Sequence, residues 1–464
     1  MKSKKITEEE LIRLLEIDDI SRNKYLTKFI RIICNNGDNR IFSLDGNWGS
    51  GKTIFVKKLE LLINYFSFYE AGEKIDNNNQ INSSFEIKTE SIQKMEILLS
   101  NSEYIKIKDM VKESCVNAIY FNAWEHDDEG DPIISIISEI IKKFDLLDST
   151  KNVKSVSLSS NITSLFKFLN FGQVDLNIAL NTENLSEIIE LKDRIKDSLQ
   201  TTLNDIINEN CNKLVIFIDE LDRCRPDYAI NLLERLHHFL DDERVIIVLS
   251  TNIEELVNTI STKYGNGFSA EKYLDKFIDE HLFLPNVSIE SYLKTFDTQL
   301  NLNSRTWVSI VITSFIKYNN LSMRQINQYI GCMNHFSRYL NETQIMMDEN
   351  FKLVKFILLP YIVGLYTISP IDFKKFYSGH GYDKFKEFIN SNQSIQKLIR
   401  GIIYSNEGIS DIQLYNDLEK IYQLIFDKGN IEKISVDGQD VYKSEFNEIY
   451  NTISLLGDIS EFKG

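Results

Sequence analysis

The chain has 464 residues, a formal net charge of −16 at pH 7 and a hydrophobic content of 43%. Such a length is typical of roughly two to four domains. The negative charge argues against non-specific coating of nucleic acid and leaves direct binding through a local basic patch open. Five scattered cysteines without a CxxC pair, and an N-terminus without an apolar signal region, predict a cytoplasmic protein. The longest uncharged stretch, 356–371, is too short to span a bilayer, so we expect no membrane insertion.

Strand and helix patterns alternate over the first part of the chain. A short strand is predicted at 40–44, followed by a glycine-rich loop and a helix, and a second strand is predicted at 117–124. Two nearly continuous apolar runs, 213–219 and 244–250, are typical of strands buried on both faces of a parallel sheet. A further short strand is expected at 281–285. This order predicts an α/β fold with a parallel sheet flanked by helices.

The patterns divide the chain into three predicted regions. Residues 1–285 form the α/β domain, 286–345 an α-helical lid, and 346–464 a C-terminal helical region without a recognisable motif. Two polar insertions, rich in Asn and Ser, are predicted within the first region near 70–115 and 147–185. No strand is predicted beyond 285.

The loop after the first strand carries the sharpest motif. Its sequence, GNWGSGKT, fits G-x-x-x-x-G-K-[ST] and lies between a predicted strand and a predicted helix, which is the context a phosphate-binding P-loop requires. Glycines allow positive φ and close approach to phosphate, while successive N–H groups and the helix N-terminus face the anion. Lys52 is expected to reach the β- and γ-phosphates, and Thr53 to bind Mg²⁺. The expected nucleotide-binding residues are Gly46, Asn47, Trp48, Gly49, Ser50, Gly51, Lys52 and Thr53.

Two carboxylates end the buried strand at 213–219. Asp219 at the carboxyl end of a strand can hold Mg²⁺ directly or through water. Glu220 can orient and deprotonate an attacking water, and Glu125 is the first alternative base. A solvated acidic turn is the competing interpretation, which the preceding P-loop makes the weaker one. We therefore predict a metal-assisted hydrolytic site that uses both side chains.

Asn252 follows the next buried strand, 244–250. There it can contact the γ-phosphate or the attacking water, as in sensor-type NTPases. The alternative is a helix N-cap, because the apolar pattern of a helix follows directly. The two roles are compatible, and the sequence leaves both open.

These motifs resemble the KAP family of P-loop NTPases over residues 18–329. The specific segments are DGNWGSGKT (45–53), YFNAWEHDD (120–128) and FIDELDRCRPDYAINLLERLHHFLD (217–241), and the resemblance continues to LSMRQINQYI (321–330). It implies a sheet with an extra strand between the P-loop strand and the acidic strand, followed by an α-helical lid. Many family members carry transmembrane helices within this domain. The insertions here are polar, which indicates the subgroup without them.

The resemblance also implies an activity. Bacterial members are linked to mobile elements and phage defence, and one is the ATPase subunit of Qat systems, which acts with partner proteins. We therefore expect Mg²⁺-dependent ATP hydrolysis that drives conformational change or assembly with partners of a defence operon. The alternative is a nucleotide-binding scaffold or switch with negligible turnover, which would have no need of Glu220 as a base. ATP is expected because no guanine-specific N/TKxD motif occurs, and homo-oligomer formation is left open.

Two arginines gain candidate roles from the resemblance. Arg223 and Arg225 follow the acidic strand and would stabilise transition-state charge, in cis or across an oligomer interface. The alternative is ion pairing with Asp222 and Asp227.

Arg324 lies in the predicted lid. Ser322 is expected to be an N-cap, which places Arg324 in the first turn of a helix, where a cation opposes the helix dipole. In related NTPases with a helical lid, an arginine at this place contacts the γ-phosphate. A solvated or locally paired arginine is the alternative.

Overall fold

The computed structural model of this protein divides into two units, Met1–Asn286 and Val287–Gly464. The predicted insertion at 147–185, and residues 70–101 of the earlier one, lie outside the described residues. The structure describes residues 6–18, 22–35, 40–68, 102–128, 131–143, 201, 203–204, 207, 211–239, 242–265, 267–285, 287, 289–294, 296, 307–342, 352–404, 408–426 and 431–446.

A parallel five-stranded sheet forms the centre of the first unit, in the order β2-β3-β4-β1-β5. The predicted α/β fold is therefore confirmed, and so is the extra strand, because β4 lies between the P-loop strand β1 and the acidic strand β3. In the register, Asp45 lies beside Thr251, and Asp219 lies between Asn122 and Ser250. The polar carboxyl ends of four strands thus share one edge. The strands are β1 (Arg40–Asp45), β2 (Val116–Asn122), β3 (Lys213–Asp219), β4 (Val245–Thr251) and β5 (Glu280–Phe283).

Helices cover both faces of this sheet. Alternate residues of β3 enter opposite cores: Ile216 and Ile218 face one, and Val215 and Phe217 face the other. This explains the unbroken apolar run, since a strand covered on both faces needs no polar alternation. One core involves α5 to α8 and the other α1 to α4. The helices are α1 (Glu8–Ile17), α2 (Asn23–Asn35), α3 (Lys52–Phe68), α4 (Ser102–Ser114), α5 (Pro132–Lys143), α6 (Pro226–Phe239), α7 (Ile253–Tyr264) and α8 (Ala270–Leu274).

Helix α4 lies within the segment that the sequence indicated as a polar insertion. Its Tyr104, Ile107 and Val111 are buried in the core formed with α1 to α3. The Lys and Glu residues of α4 obscure this apolar stripe because they occupy its outer face. This part of the segment therefore belongs to the packed fold of the first unit.

The second unit is built mainly from helices. Within the uncharged stretch, Leu359–Ile368 form a largely buried helix, preceded by a π-helical turn at Val354–Leu358. Among the described residues, no helix is both long and apolar enough to cross a membrane. The helices are α9 (Ile289–Lys294), α10 (Trp307–Tyr318), α11 (Met323–Glu342), α12 (Leu359–Ile368), α13 (Pro370–Tyr377), α14 (Tyr382–Asn390), α15 (Gln393–Ile403) and α16 (Asp411–Phe426).

A β-hairpin follows α16, so the prediction of no strand beyond 285 was wrong. Strands β6 (Lys433–Val436) and β7 (Gln439–Tyr442) pair antiparallel across a two-residue turn. Asp437 and Gly438 both have positive φ, 50° and 76°. Asp-Gly between strand-forming residues is a strong local hairpin signal because it suits a turn with two left-handed residues. The signal was present in the sequence and was overlooked among the helical patterns.

Candidate functional site

The phosphate loop lies between Asp45 at the end of β1 and Lys52 at the start of α3. Gly49 and Gly51 have φ of 75° and 91°, a region that favours glycine, as predicted. Gly46 does not have positive φ, so that part of the prediction was wrong. A side chain at this position would be crowded, because its Cβ would lie 3.0 Å from Ser50 Oγ and 3.3 Å from Leu284 Cβ.

Lys52 is buried against the inner side of this loop. Its Nζ donates to the carbonyl oxygen of Gly46 and, at 3.3 Å, to that of Asn47. Burial lowers the pKa of Lys52, and the charges of nearby carboxylates, Asp222 foremost, act in the opposite direction. The ammonium group therefore lies within the loop, where a phosphate oxygen can compete for its hydrogen bonds.

Asp219 and Thr53 meet beside the loop. The buried Asp219 carboxylate accepts hydrogen bonds at one oxygen, Oδ2, from Thr53 Oγ1 at 2.6 Å and from Tyr120 OH at 3.0 Å. Burial and the Asp219 charge raise the pKa of Tyr120, so the phenol stays protonated and donates. A hydroxyl and a carboxylate in contact supply the hard oxygen ligands that Mg²⁺ prefers. These two residues therefore fit a magnesium ion that is shared with phosphate oxygens.

Glu220 has an unusual backbone for a non-glycine residue, with φ of 63°. Such left-handed conformations are rare outside glycine and cost on the order of 1–3 kcal/mol, so they concentrate at functional sites. Its Oε1 pairs with Arg223 Nη1 at 2.9 Å, and the Arg223 guanidinium lies over the Trp124 ring, 5.6 Å from its centroid. The expected partner of Arg223 was Asp222. The tight turn instead brings the arginine back to Glu220.

Arg225 turns away from this cluster. Its guanidinium contacts Asp127 through both the carboxylate, at 3.7 Å, and the main-chain carbonyl, and its side chain is 63% exposed. Asp227, the partner predicted for it, pairs with Lys263. Arg225 therefore forms a local ion pair, as the alternative interpretation expected, but with a different partner. The carboxylate is Asp127, which follows β2, and not Asp227.

Asp222 connects the segment after β3 to the phosphate loop and to the end of β4. The buried carboxylate accepts a hydrogen bond from Trp48 Nε1 in the phosphate loop and another from Thr251 Oγ1, at 3.1 Å, at the end of β4. From the sequence, the metal and base roles were assigned to Asp219 and Glu220 of the same motif, and Asp222 was given no role beyond pairing with an arginine. The Trp at the third position of the P-loop and the string D-E-L-D are the features that could have indicated the contact.

Asn252 is the N-cap of α7, as one of its two predicted roles required. Its Oδ1 accepts a hydrogen bond from the N–H of Glu255 at 3.4 Å, and Asp45 Oδ1 accepts one from Ile253 N–H at 3.0 Å. The residue is buried at the shared strand edge. Its predicted sensor role stays a prediction.

Arg324 belongs to the second unit and is exposed in the first turn of α11. Ser322 and Gln325 form a reciprocal capping box: Gln325 N–H donates to Ser322 Oγ at 3.4 Å, and Ser322 N–H donates to Gln325 Oε1 at 3.0 Å. The predicted N-cap is therefore confirmed. The γ-phosphate contact of Arg324 stays a prediction.

The phosphate loop after β1, the buried carboxylate at the end of β3 and the strand between them define a P-loop NTPase. A family model described as the KAP family P-loop domain matches residues 22–347, and the chain belongs to this family. No curated protein matches the sequence. Among solved structures, the chain is similar to the Aeropyrum pernix ORC2 protein in its ADPNP–ADP complexes, with 11% identity, a TM-score of 0.33, and coverage of 95% of this chain and 94% of the other.

Proposed function

We propose that this protein hydrolyses ATP with the help of Mg²⁺ and uses the reaction to change conformation or to assemble with partner proteins. The observation that carries the proposal is the contact between Thr53 and Asp219, 2.6 Å apart beside the buried Lys52. A phosphate loop that only holds an anion does not need a hydroxyl paired with a buried carboxylate, whereas a metal–phosphate site does.

The side chains divide the work of phosphoryl transfer to water. Lys52 binds the β- and γ-phosphate oxygens, and the loop N–H groups hold the same anion. Thr53 and Asp219 would hold Mg²⁺, which would supply positive charge to offset the charge that develops on the phosphate oxygens. Glu220 accepts a proton from the attacking water while that water oxygen bonds to the γ-phosphorus. The bond between the γ-phosphorus and the bridging oxygen then breaks, which releases ADP and phosphate.

Several polar residues are assigned supporting roles within this proposal. Arg223 is already paired with Glu220 and lies closest to the base, so it is the stronger candidate for transition-state stabilisation. Arg225 faces solvent and would act only across an interface with another subunit. Asn252 at the strand edge would sense the γ-phosphate, and Arg324 would do so from the lid.

The biological setting is the broader part of the proposal. The family resemblance supports a role in bacterial anti-phage defence, with a Qat-type ATPase subunit as a functional parallel. The partners would be proteins of the same operon. A nucleotide-binding scaffold with negligible turnover is the second candidate, and the ion pair between Glu220 and Arg223 favours it, since it engages the base.

Phosphate release and nucleotide binding, measured in three variants, test the activity. Lys52→Ala should bind ATP weakly and release no phosphate. Glu220→Gln should bind ATP normally and lose about 10²–10⁴-fold in turnover, the usual contribution of a general base. Glu125→Gln is the matched control: Glu125 is exposed, accepts a hydrogen bond from Asn122 and should be neutral.

Each outcome separates the candidates. Phosphate release that persists in Lys52→Ala would remove the loop from the reaction. A loss of less than about threefold in Glu220→Gln, far below the general-base range, with a larger loss in Glu125→Gln, would transfer the base role to Glu125. Tight ATP binding by the unaltered protein without phosphate release would establish the scaffold.

A further inference from the structure

Arg22 is a buried arginine that none of the motifs includes. It precedes α2 and is 4% exposed. Its guanidinium lies between two main-chain carbonyls. Nη1 donates to the Ser50 oxygen in the phosphate loop at 2.6 Å, and Nε and Nη2 donate to the Pro285 oxygen after β5 at 2.9 and 2.5 Å.

Asp18, at the end of α1, positions this arginine. Asp18 ends α1 with a left-handed φ of 40°, and its Oδ1 accepts hydrogen bonds from the main-chain N–H groups of Arg22, at 2.9 Å, and Asn23, at 3.0 Å. The Asn23 side chain in turn donates to the Leu15 carbonyl at 2.6 Å. The backbone of Arg22 is therefore held from both sides, which directs its side chain toward the phosphate loop.

The bond to Ser50 has a geometric consequence for its neighbour. In a planar trans peptide, the carbonyl and the following N–H point in opposite directions. Because Arg22 holds the Ser50 carbonyl, the N–H of Gly51 points away from Arg22, toward the opposite side of the loop. Gly51 has φ of 91°, which lets the backbone turn at this peptide and continue into α3.

The bond also has an electrostatic consequence. Among the described residues, no carboxylate pairs with Arg22, and the acceptors of its hydrogen bonds are the two carbonyls. Burial lowers the pKa of Arg22 to about 10, so it remains protonated at neutral pH. A cation on the carbonyl polarises the whole peptide, which makes the N–H across it a stronger donor. The Arg22 charge also raises the potential at the loop, where an anion would bind.

We propose that Arg22 is a positioning residue for phosphate binding, which aims and strengthens the Gly51 N–H by holding the Ser50 carbonyl. The proposal rests on the proposed function insofar as the loop must bind a nucleotide phosphate. It adds a residue outside the loop on which that binding depends. It also couples Asp18, which holds the backbone of Arg22, to nucleotide affinity.

The test compares Arg22→Gln, Arg22→Lys and the control Arg13→Gln, an exposed arginine of α1. Dissociation constants for ADP and ATP are measured by calorimetry, and KM and kcat by phosphate release. Arg22→Gln should lower the affinity for ADP and for ATP about tenfold, which corresponds to the loss of one charge-assisted hydrogen bond. It should change kcat at saturating ATP by less than about twofold, because uniform binding affects KM alone. Arg22→Lys keeps the charge and reaches one carbonyl, so it should recover part of the affinity.

Asp18→Asn is a second variant that leaves the arginine in place. The neutral amide accepts the hydrogen bonds of the Arg22 and Asn23 N–H groups more weakly, so the backbone of Arg22 is held less firmly. The affinities for ADP and ATP should therefore fall, as in Arg22→Gln, but by a smaller factor. Thermal unfolding without nucleotide identifies any variant that fails to fold. If Arg22→Gln does not fold, the nucleotide affinities of Arg22→Lys and Asp18→Asn test the proposal in its place.

Three results overturn the inference. Unchanged nucleotide affinity in a folded Arg22→Gln, with Lys52→Ala still impaired, would make Arg22 a structural tether alone. A fall in kcat with unchanged KM would do the same. Failure of the unaltered protein to bind either nucleotide would overturn the proposed function as well, and the Lys52→Ala comparison distinguishes that case.

Discussion

The two units of the molecule bury different kinds of side chains. In the first unit, buried polar and charged groups gather at the carboxyl edge of the sheet, where Lys52, Asp219, Asp222 and Thr251 lie. In the second unit, only Ser314 and Asp417 are buried among the polar and charged residues that the structure describes.

The centre of the second unit consists instead of packed aromatic rings. Phe388 contacts Phe315, Tyr318 and Tyr361, with centroids 5.0–5.9 Å apart. Gly364 is required there, because a Cβ would lie 2.4 Å from the Phe315 ring. Aromatic pairs of this kind add to the free energy that area burial alone supplies.

The difference shows where each unit places its stability. A buried polar group costs free energy unless it is paired, so a cluster of them is retained for chemistry or for specific positioning. In the first unit, Asp219 accepts hydrogen bonds from Thr53 and Tyr120. Asp222 accepts them from Trp48 and Thr251. The second unit carries few such costs, and we expect its core to respond to substitution by loss of packing alone.

The largest effect on stability is expected for Phe388→Ala. Removing a fully buried ring leaves a cavity and should lower the free energy of unfolding of the second unit by about 3–5 kcal/mol. Calorimetry measures this loss. At 20 °C, nucleotide affinity of the remaining folded protein should be unchanged, because Phe388 belongs to the second unit and the phosphate loop to the first.

The control is Ile412→Ala in α16, an apolar side chain of the same unit that is 76% exposed. It should change the free energy of unfolding by less than about 0.5 kcal/mol. Equal losses in the two variants would contradict the view that the ring cluster carries the stability of this unit.

An intermediate effect is expected for Asp222→Asn. Weakening the bonds from Trp48 and Thr251 should cost about 1.5–3 kcal/mol in the first unit, since the acceptor is charged. The lost negative charge also lowers the pKa of Lys52 further, because Asp222 is the carboxylate that most raises it. ADP affinity is expected to fall as the pH rises and Lys52 loses its proton. In Asp222→Asn this fall should begin at a lower pH than in the unaltered protein, as measured by titration of ADP binding between pH 7 and about 10.

Asp227→Asn provides the matched control, because Asp227 is exposed and pairs with Lys263 on the surface. It should change neither the free energy of unfolding nor the pH at which ADP affinity falls. If that pH rises in Asp222→Asn, or shifts equally in both variants, Asp222 does not influence the pKa of Lys52.

The smallest effect is expected for Arg324→Ala. If this arginine meets the γ-phosphate, its removal should weaken ATP binding about fivefold, equivalent to about 1 kcal/mol of coupling, and leave ADP affinity unchanged. The measurement is a pair of dissociation constants, with the exposed Lys397 of α15 replaced by alanine as the control. Equal changes for ATP and ADP, or none, would remove Arg324 from the site.

Local sequence determined the phosphate loop, the acidic strand end and the strands of the sheet. Each of these depends on a few consecutive residues: glycines for the turn of the loop, an unbroken apolar run for a strand covered on both faces. The Asp-Gly hairpin after α16 was equally local and was missed only because no strand was expected there.

Tertiary structure alone decided which side chains meet. Tyr120 and Asp219 are 99 residues apart, Trp48 and Asp222 are 174 apart, and Arg22 and Pro285 are 263 apart. No periodicity or spacing specifies such pairs, because they form where strands and loops distant in the chain are brought to one edge of the sheet. The sequence therefore determined the motif that binds phosphate, and the fold selected the residues that hold that motif in position.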